Sequence, residues 1–83
     1  MPPKILSPEA LGHALKDVRK GMGKTQEEVG TLICMDQGTI SVIERGNPGT
    51  RLETLFRLLA ALELEISLQP RSKPTGTTEG DPW

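Results

Sequence analysis

The chain is poor in aromatic residues and in cysteine. Its 83 residues include no tyrosine, one phenylalanine, one tryptophan and one cysteine. The core must therefore be aliphatic, and a small helical bundle packed with Leu, Ile and Val suits this composition. One cysteine excludes an intramolecular disulfide. No apolar run is long enough to cross a bilayer, and the opening MPPKILSPEAL has nothing of a signal peptide, so the chain is expected in the cytoplasm. A large excess of charge is missing too: the formal net charge is −1. All ten Lys and Arg lie in residues 1–73 beside nine acids, and residues 74–83 carry only Glu79 and Asp81. So weak an excess predicts modest non-specific affinity for nucleic acid, because phosphate neutralisation supplies most of that term. No nucleophile–base pair, phosphate-binding glycine loop or metal motif appears, and His13 has no His, Cys or acidic cluster around it. Catalysis and a cofactor are not expected.

The length fits one small domain, and its helices announce themselves by their caps. Ser7-Pro8-Glu9 is a helix start, with a capping hydroxyl, proline at the first position and an acid in the first turn. Leu11, Ala14, Leu15 and Val18 form its buried stripe, and Gly21-Met22-Gly23 ends it. Thr25 and Glu28 have the spacing of a capping box for a second helix that stops near Cys34. Asp36 is a plausible cap for a third, which runs to about Arg45 before Gly46-Asn47-Pro48-Gly49. Thr50 and Glu53 repeat the capping-box spacing, and Leu52, Leu55, Phe56, Leu59 and Leu62 supply the stripe of a fourth.

The period then changes. Apolar and polar residues alternate in Leu64-Glu65-Ile66-Ser67-Leu68-Gln69, as in a strand with one buried face. One strand cannot satisfy its own backbone. Pairing with the same strand of a second copy would bury Leu64, Ile66 and Leu68 at a two-fold axis; Ile5-Leu6 is the competing partner. From Pro70 onward, PRSKPTGTTEGDPW has three prolines, two glycines and no apolar residue until Trp83, and is expected to be disordered in isolation. The expected organisation is a mainly α domain over residues 7–69, with four to five helices and one strand pairing across a homodimer, followed by a tail over 70–83.

Residues 25–46, TQEEVGTLICMDQGTISVIERG, carry most of the functional information. Val29 and Ile33 share a face, Met35 sits in the joint, and Ile40 and Ile43 share a face of the next helix. Gln37, Thr39 and Ser41 stand at the front of that second helix. This is the layout of a helix-turn-helix, whose second helix can lie in the DNA major groove. With Arg19, the TQEEVG segment and ISVIERG, residues 11–62 resemble the phage-repressor-like (Cro/CI, or XRE) helix-turn-helix family. The resemblance implies that Gln26 braces a DNA phosphate and the recognition helix, and that Arg19 and Glu44 form a partly buried structural ion pair. Gln37, Gly38, Thr39 and Ser41 are the candidate readers of base edges or phosphates. Lys20, Lys24, Arg45 and Arg51 are candidate phosphate contacts, although any of them can equally be a solvated charge. Two residues depart from the family pattern. Asp36 puts a carboxylate near phosphate, which is repulsive unless it serves as a cap. Cys34 stands where the family usually has glycine, so it must accept a left-handed backbone or alter the turn; it is expected to be a buried structural cysteine.

Trp83, at the end of a polar tail, reads either as incidental or as an anchor for a pocket on a partner protein. Four repressor-like helices, the Ala61–Leu68 pattern and the terminal Trp83 together resemble the HipB-type antitoxins. That family implies a homodimer on operator DNA that restrains a HipA-type serine/threonine kinase toxin. A stand-alone phage-type or restriction–modification-type repressor, and a protein-binding module with vestigial DNA affinity, stay open as alternatives.

Overall fold

Capping and close backbone contact decide where each helix lies. The structure, a computed structural model, describes residues 4–71. Helix α1 spans Pro8–Gly21, α2 Gln26–Ile33, α3 Gln37–Glu44 and α4 Leu52–Ala61. Ser7 Oγ accepts from the Ala10 N–H at 3.1 Å at the head of α1. The capping box of α2 is complete: the Glu28 N–H donates to Thr25 Oγ1 at 3.0 Å, and the Thr25 N–H donates to Glu28 Oε1 at 2.8 Å.

The other two expected caps are not made. Asp36 occupies the cap position of α3, but its side chain accepts no backbone N–H; Oδ2 takes the Thr39 hydroxyl at 3.3 Å instead. At α4 the cap position falls to Arg51, with no side-chain cap. Thr50 Oγ1 turns back to donate to Asn47 O at 3.1 Å, inside a turn that Asn47 Oδ1 closes by accepting from the Gly49 N–H at 2.8 Å. That local turn competes for the hydroxyl and wins.

Every helix ends on a left-handed residue: Gly23, Cys34, Gly46 and Glu63 are the residues with positive φ among those described. After α1, α3 and α4 the N–H groups of Lys24, Asn47 and Leu64 reach back to Arg19 O, Val42 O and Leu59 O, closing Schellman-type ends. Cys34, at φ 52 and ψ 47, ends α2 without glycine's freedom, at a cost of about 1–2 kcal/mol. It accepts the left-handed backbone, but it is exposed, not buried as expected. The turn takes Met35 into the core and leaves Cys34 outside.

The core is Leu15, Val29, Met35, Ile40, Ile43, Leu55, Leu58, Leu59 and Leu62, with Leu11, Val18, Ile33, Ala61 and Leu64 packed against it. Helix α3 packs on α1 and α2, and α4 on α2. Two glycines permit this. A Cβ on Gly12 would lie 2.8 Å from Ile43 O, and one on Gly30 would collide with Met35 O. Arg57 of α4 donates to Ile33 O and satisfies the end of α2.

Helix α4 corrects the sequence expectation. Its buried face is Leu55, Leu58, Leu59 and Leu62, whereas Leu52 and Phe56 are 68% and 51% exposed. The helix carries more apolar residues than one face can hold, and periodicity alone does not choose among them. The expected strand also does not form within the chain: residues 64–71 adopt neither helix nor strand, and Ile5-Leu6 does not pair with them. Leu64 folds back on the core, while Ile66 and Leu68 are 49% and 93% exposed. There are four helices among the described residues, at the lower end of the expected number, and none is long and apolar enough to cross a membrane. Trp83 and the rest of the expected tail beyond Arg71 lie outside the described residues.

Candidate nucleic-acid interface

The polar front of α3 is held from behind by a buried ion pair. Arg19 Nε donates to Glu44 Oε2 at 2.7 Å and Nη2 to Oε1 at 3.0 Å, a two-pronged contact from α1 to the last residue of α3. The third guanidinium nitrogen, Nη1, donates to Lys24 O at 2.8 Å and fixes the loop before α2. Both partners are buried. Burial pushes the Glu44 carboxyl up, but hydrogen bonds from Arg19 and Gln26 and the charges of Arg19 and Lys16 outweigh it, and the group lies below its ordinary value. The bond to Glu44 raises Arg19 above its ordinary value against the opposing effect of burial, with the Glu44 charge assisting.

The network continues to the surface. Gln26 Nε2 donates to Glu44 Oε1 at 3.0 Å, and Gln37 Nε2 donates to Gln26 Oε1 at 3.3 Å. No side-chain polar atom buried among the described residues lacks a partner. Gln26 and Gln37 line one shallow depression with Lys20 and Lys24. Beside the paired Arg19, this depression presents two lysines, two amides and one carboxylate, Glu27; the lysines and amides are groups that can hold phosphate oxygen and base edge, and Glu27 opposes an anion at its own edge.

The remaining candidates fall elsewhere. Gly38 and Thr39 line a second depression with Asp36, Asn47, Thr50 and Arg51 on the opposite flank of α3. A Cβ on Gly38 would meet Asp36 Oδ2 at an ordinary 3.6 Å, so nothing among the described residues requires glycine there. Ser41 and Arg45 pair with each other, Arg45 Nη1 donating to Ser41 Oγ at 2.8 Å. The exposed front of α3 thus has a flank on each side: the amides and lysines of the α2 start, and the turn between α3 and α4. Sequence reasoning did not single out Asn47 for the second flank. Its position in an Asn-Pro-Gly turn directly after the third helix was the available clue.

A short helix clamped by its neighbour, with its polar front outward, is how a helix-turn-helix domain meets DNA. A family described as helix-turn-helix matches residues 15–69. The chain is 43% identical over 65 residues to the antitoxin HipB of Escherichia coli strain K12, covering 78% of this chain and 74% of that protein. Among solved structures, it resembles a complex of a HipB variant with an O2 20mer at a TM-score of 0.82, with 39% identity over 87% of this chain and 100% of the matched one. It also resembles a HipA–HipB–O2–O3 complex at a TM-score of 0.80, with 40% identity over 84% and 99%. The chain belongs to the helix-turn-helix family and, within it, to the HipB antitoxins.

Proposed function

We propose that the chain is a DNA-binding antitoxin: a cytoplasmic homodimer that represses by occupying operator DNA and restrains a HipA-type serine/threonine kinase toxin. It is a regulator and has no catalytic role. The observation that carries this reading is the likeness to the HipA–HipB–O2–O3 complex over 99% of the matched chain, at 40% identity. In this reading α3 enters the major groove. Gln37 reads a base, Gly38, Thr39 and Ser41 lie along the groove, and Gln26, Lys24 and Arg45 hold phosphates.

Dimerisation belongs to residues 64–69, with two such segments pairing as strands. The exposed Ile66 and Leu68 support it, as does the solvent-facing row Leu52, Phe56 and Ala60 on α4, which leads towards the same segment. Leu64 serves this interface from the core side. The domain comprises residues 7–69, and the tail 70–83 carries Trp83 to the toxin.

A gel-shift assay on DNA upstream of the coding sequence tests the DNA function. Specific retardation is expected, and Gln37→Ala is expected to weaken it by about 1–3 kcal/mol with little change on random DNA. No shift at low salt would refute it. A pull-down with a neighbouring kinase-like protein tests the antitoxin role: the full chain retains the kinase, and the chain lacking Trp83 retains less while keeping its DNA affinity. A kinase that is not retained at all points to a stand-alone repressor.

A further inference from the structure

Asp36 stands at the head of α3 in the extended backbone of a capping residue, at φ −68 and ψ 143, yet its carboxylate caps no backbone N–H. The N–H groups of Thr39 and Ile40 donate to its main-chain oxygen instead, at 3.0 and 3.4 Å. The side chain is exposed, and its Oδ2 takes the Thr39 hydroxyl at 3.3 Å beside Gly38, which puts no side chain in the way. A carboxylate on a surface that meets a polyanion weakens binding wherever it faces phosphate. That cost is offset only where it meets a hydrogen-bond donor. In the major groove the base donors are N4 of cytosine and N6 of adenine, whereas guanine presents N7 and O6 and thymine presents O4, all acceptors. Adenine N6 lies next to the acceptor N7, so cytosine is the base whose own edge suits a carboxylate.

We infer that Asp36 is a specificity-determining residue of the DNA interface, which accepts from N4 of a cytosine, and that Thr39 is the positioning residue that holds its carboxylate in place. The first residues of a recognition helix are the ones that reach base edges, and Asp36 directly precedes Gln37 there. The Thr39 hydroxyl engages Oδ2, so Oδ1 is the oxygen presented to a base. Asp36 acts as much by rejection as by attraction, since guanine or thymine in the same place sets acceptor against acceptor. With a net charge of −1 the chain has little general attraction to phosphate, and a penalty at the wrong base separates operator from random DNA. The inference rests on the reading of α3 as a major-groove helix.

The test is selection of duplexes from a randomised library by the full chain and by its Asp36→Asn and Asp36→Ala variants. The full chain is expected to select cytosine at one position of each half-site, and both variants to lose that preference while keeping the rest of the selected sequence. On duplexes that differ only there, the full chain should prefer C to G by about tenfold or more, and the variants should approach parity, chiefly by binding the G duplex more tightly. Thr39→Val should shrink the C-to-G ratio without tightening binding to random DNA, which separates placement of the carboxylate from its charge. Variants that select the same sequence as the full chain and bind every duplex more tightly by one factor overturn the inference: Asp36 is then a general electrostatic brake, and the DNA-binding reading stands. A full chain that selects no sequence overturns both.

Discussion

The four-helix body and the arm that follows it meet their physical requirements in opposite ways. In the body, Arg19 finds Glu44, α2 ends on Arg57, and Leu15, Val29, Ile40 and Leu58 are almost completely enclosed. The arm, residues 64–71, leaves Leu68 almost wholly exposed and forms no ladder. Both regions carry alternating or periodic apolar residues, and only one of them closes on itself. A helix satisfies its backbone within its own length, whereas a strand needs a neighbour. The body can therefore fold and present α3 as one chain, whereas the arm finds no strand neighbour within the described residues, and the proposed dimer is what would supply one.

The sharpest way to break this division is to remove one half of the buried pair. Glu44→Ala or Arg19→Ala should cost about 3–5 kcal/mol, because the remaining charge is left buried and alone; thermal or urea melts measure this. The same pair predicts acid sensitivity. A carboxyl held below its ordinary value contributes stability that is fully present above the unfolded value, about 4.3 for glutamate, and is lost as pH falls through the folded value. The melting temperature of the natural chain should fall below that pH more steeply than that of Glu44→Gln. Arg19 is raised by the same contact, so the pair's contribution persists upward to the guanidinium range and is lost in acid only through protonation of Glu44.

Substitutions in the arm should do the reverse. Ile66→Asp or Leu68→Asp should weaken self-association by about 2 kcal/mol per side chain, read by analytical ultracentrifugation. Helix content at high dilution should not change. Loss of helix in these variants would show that body and arm are not separable. Within the body, Thr25→Ala should cost about 1 kcal/mol, and Asp36→Ala should cost almost nothing, since Asp36 caps no backbone N–H. A comparison of the two melts measures the cap directly. A small effect of the opposite sign is expected at the left-handed ends: Cys34→Gly and Glu63→Gly should each stabilise by less than about 1 kcal/mol, the relief of backbone strain being partly offset by the freer unfolded chain.

Much of the body was legible because its controls are local. Ser7-Pro8 and the Thr25–Glu28 box involve residues three apart, and those caps form as the spacing implies. Thr50 and Asp36 show the limit of that reasoning. Their hydroxyl and carboxylate had a second partner nearby, in Asn47 O and the Thr39 hydroxyl, and spacing cannot rank two local partners. At the site, the family resemblance supplied the Arg19–Glu44 pair and a bracing role for Gln26. That Gln26 donates to Glu44, and that Ser41 is bonded to Arg45, depends on atoms brought together by packing. Cys34 shows the same limit: its left-handed backbone was one of the two outcomes the sequence left open, and its exposure was not expected.

The sequence by itself determined the number of helices to within one, most of their ends, and the polar front of Gln37, Thr39 and Ser41, because hydrogen bonds three or four residues apart and a 3.6-residue period are written into the chain order. Only the tertiary structure decided which leucines of α4 are buried, that Gly12 lets α1 touch the backbone of α3, and that Glu44 reaches Gln37 through Gln26. Those outcomes depend on distances between residues far apart in sequence, which exist only once the helices have packed.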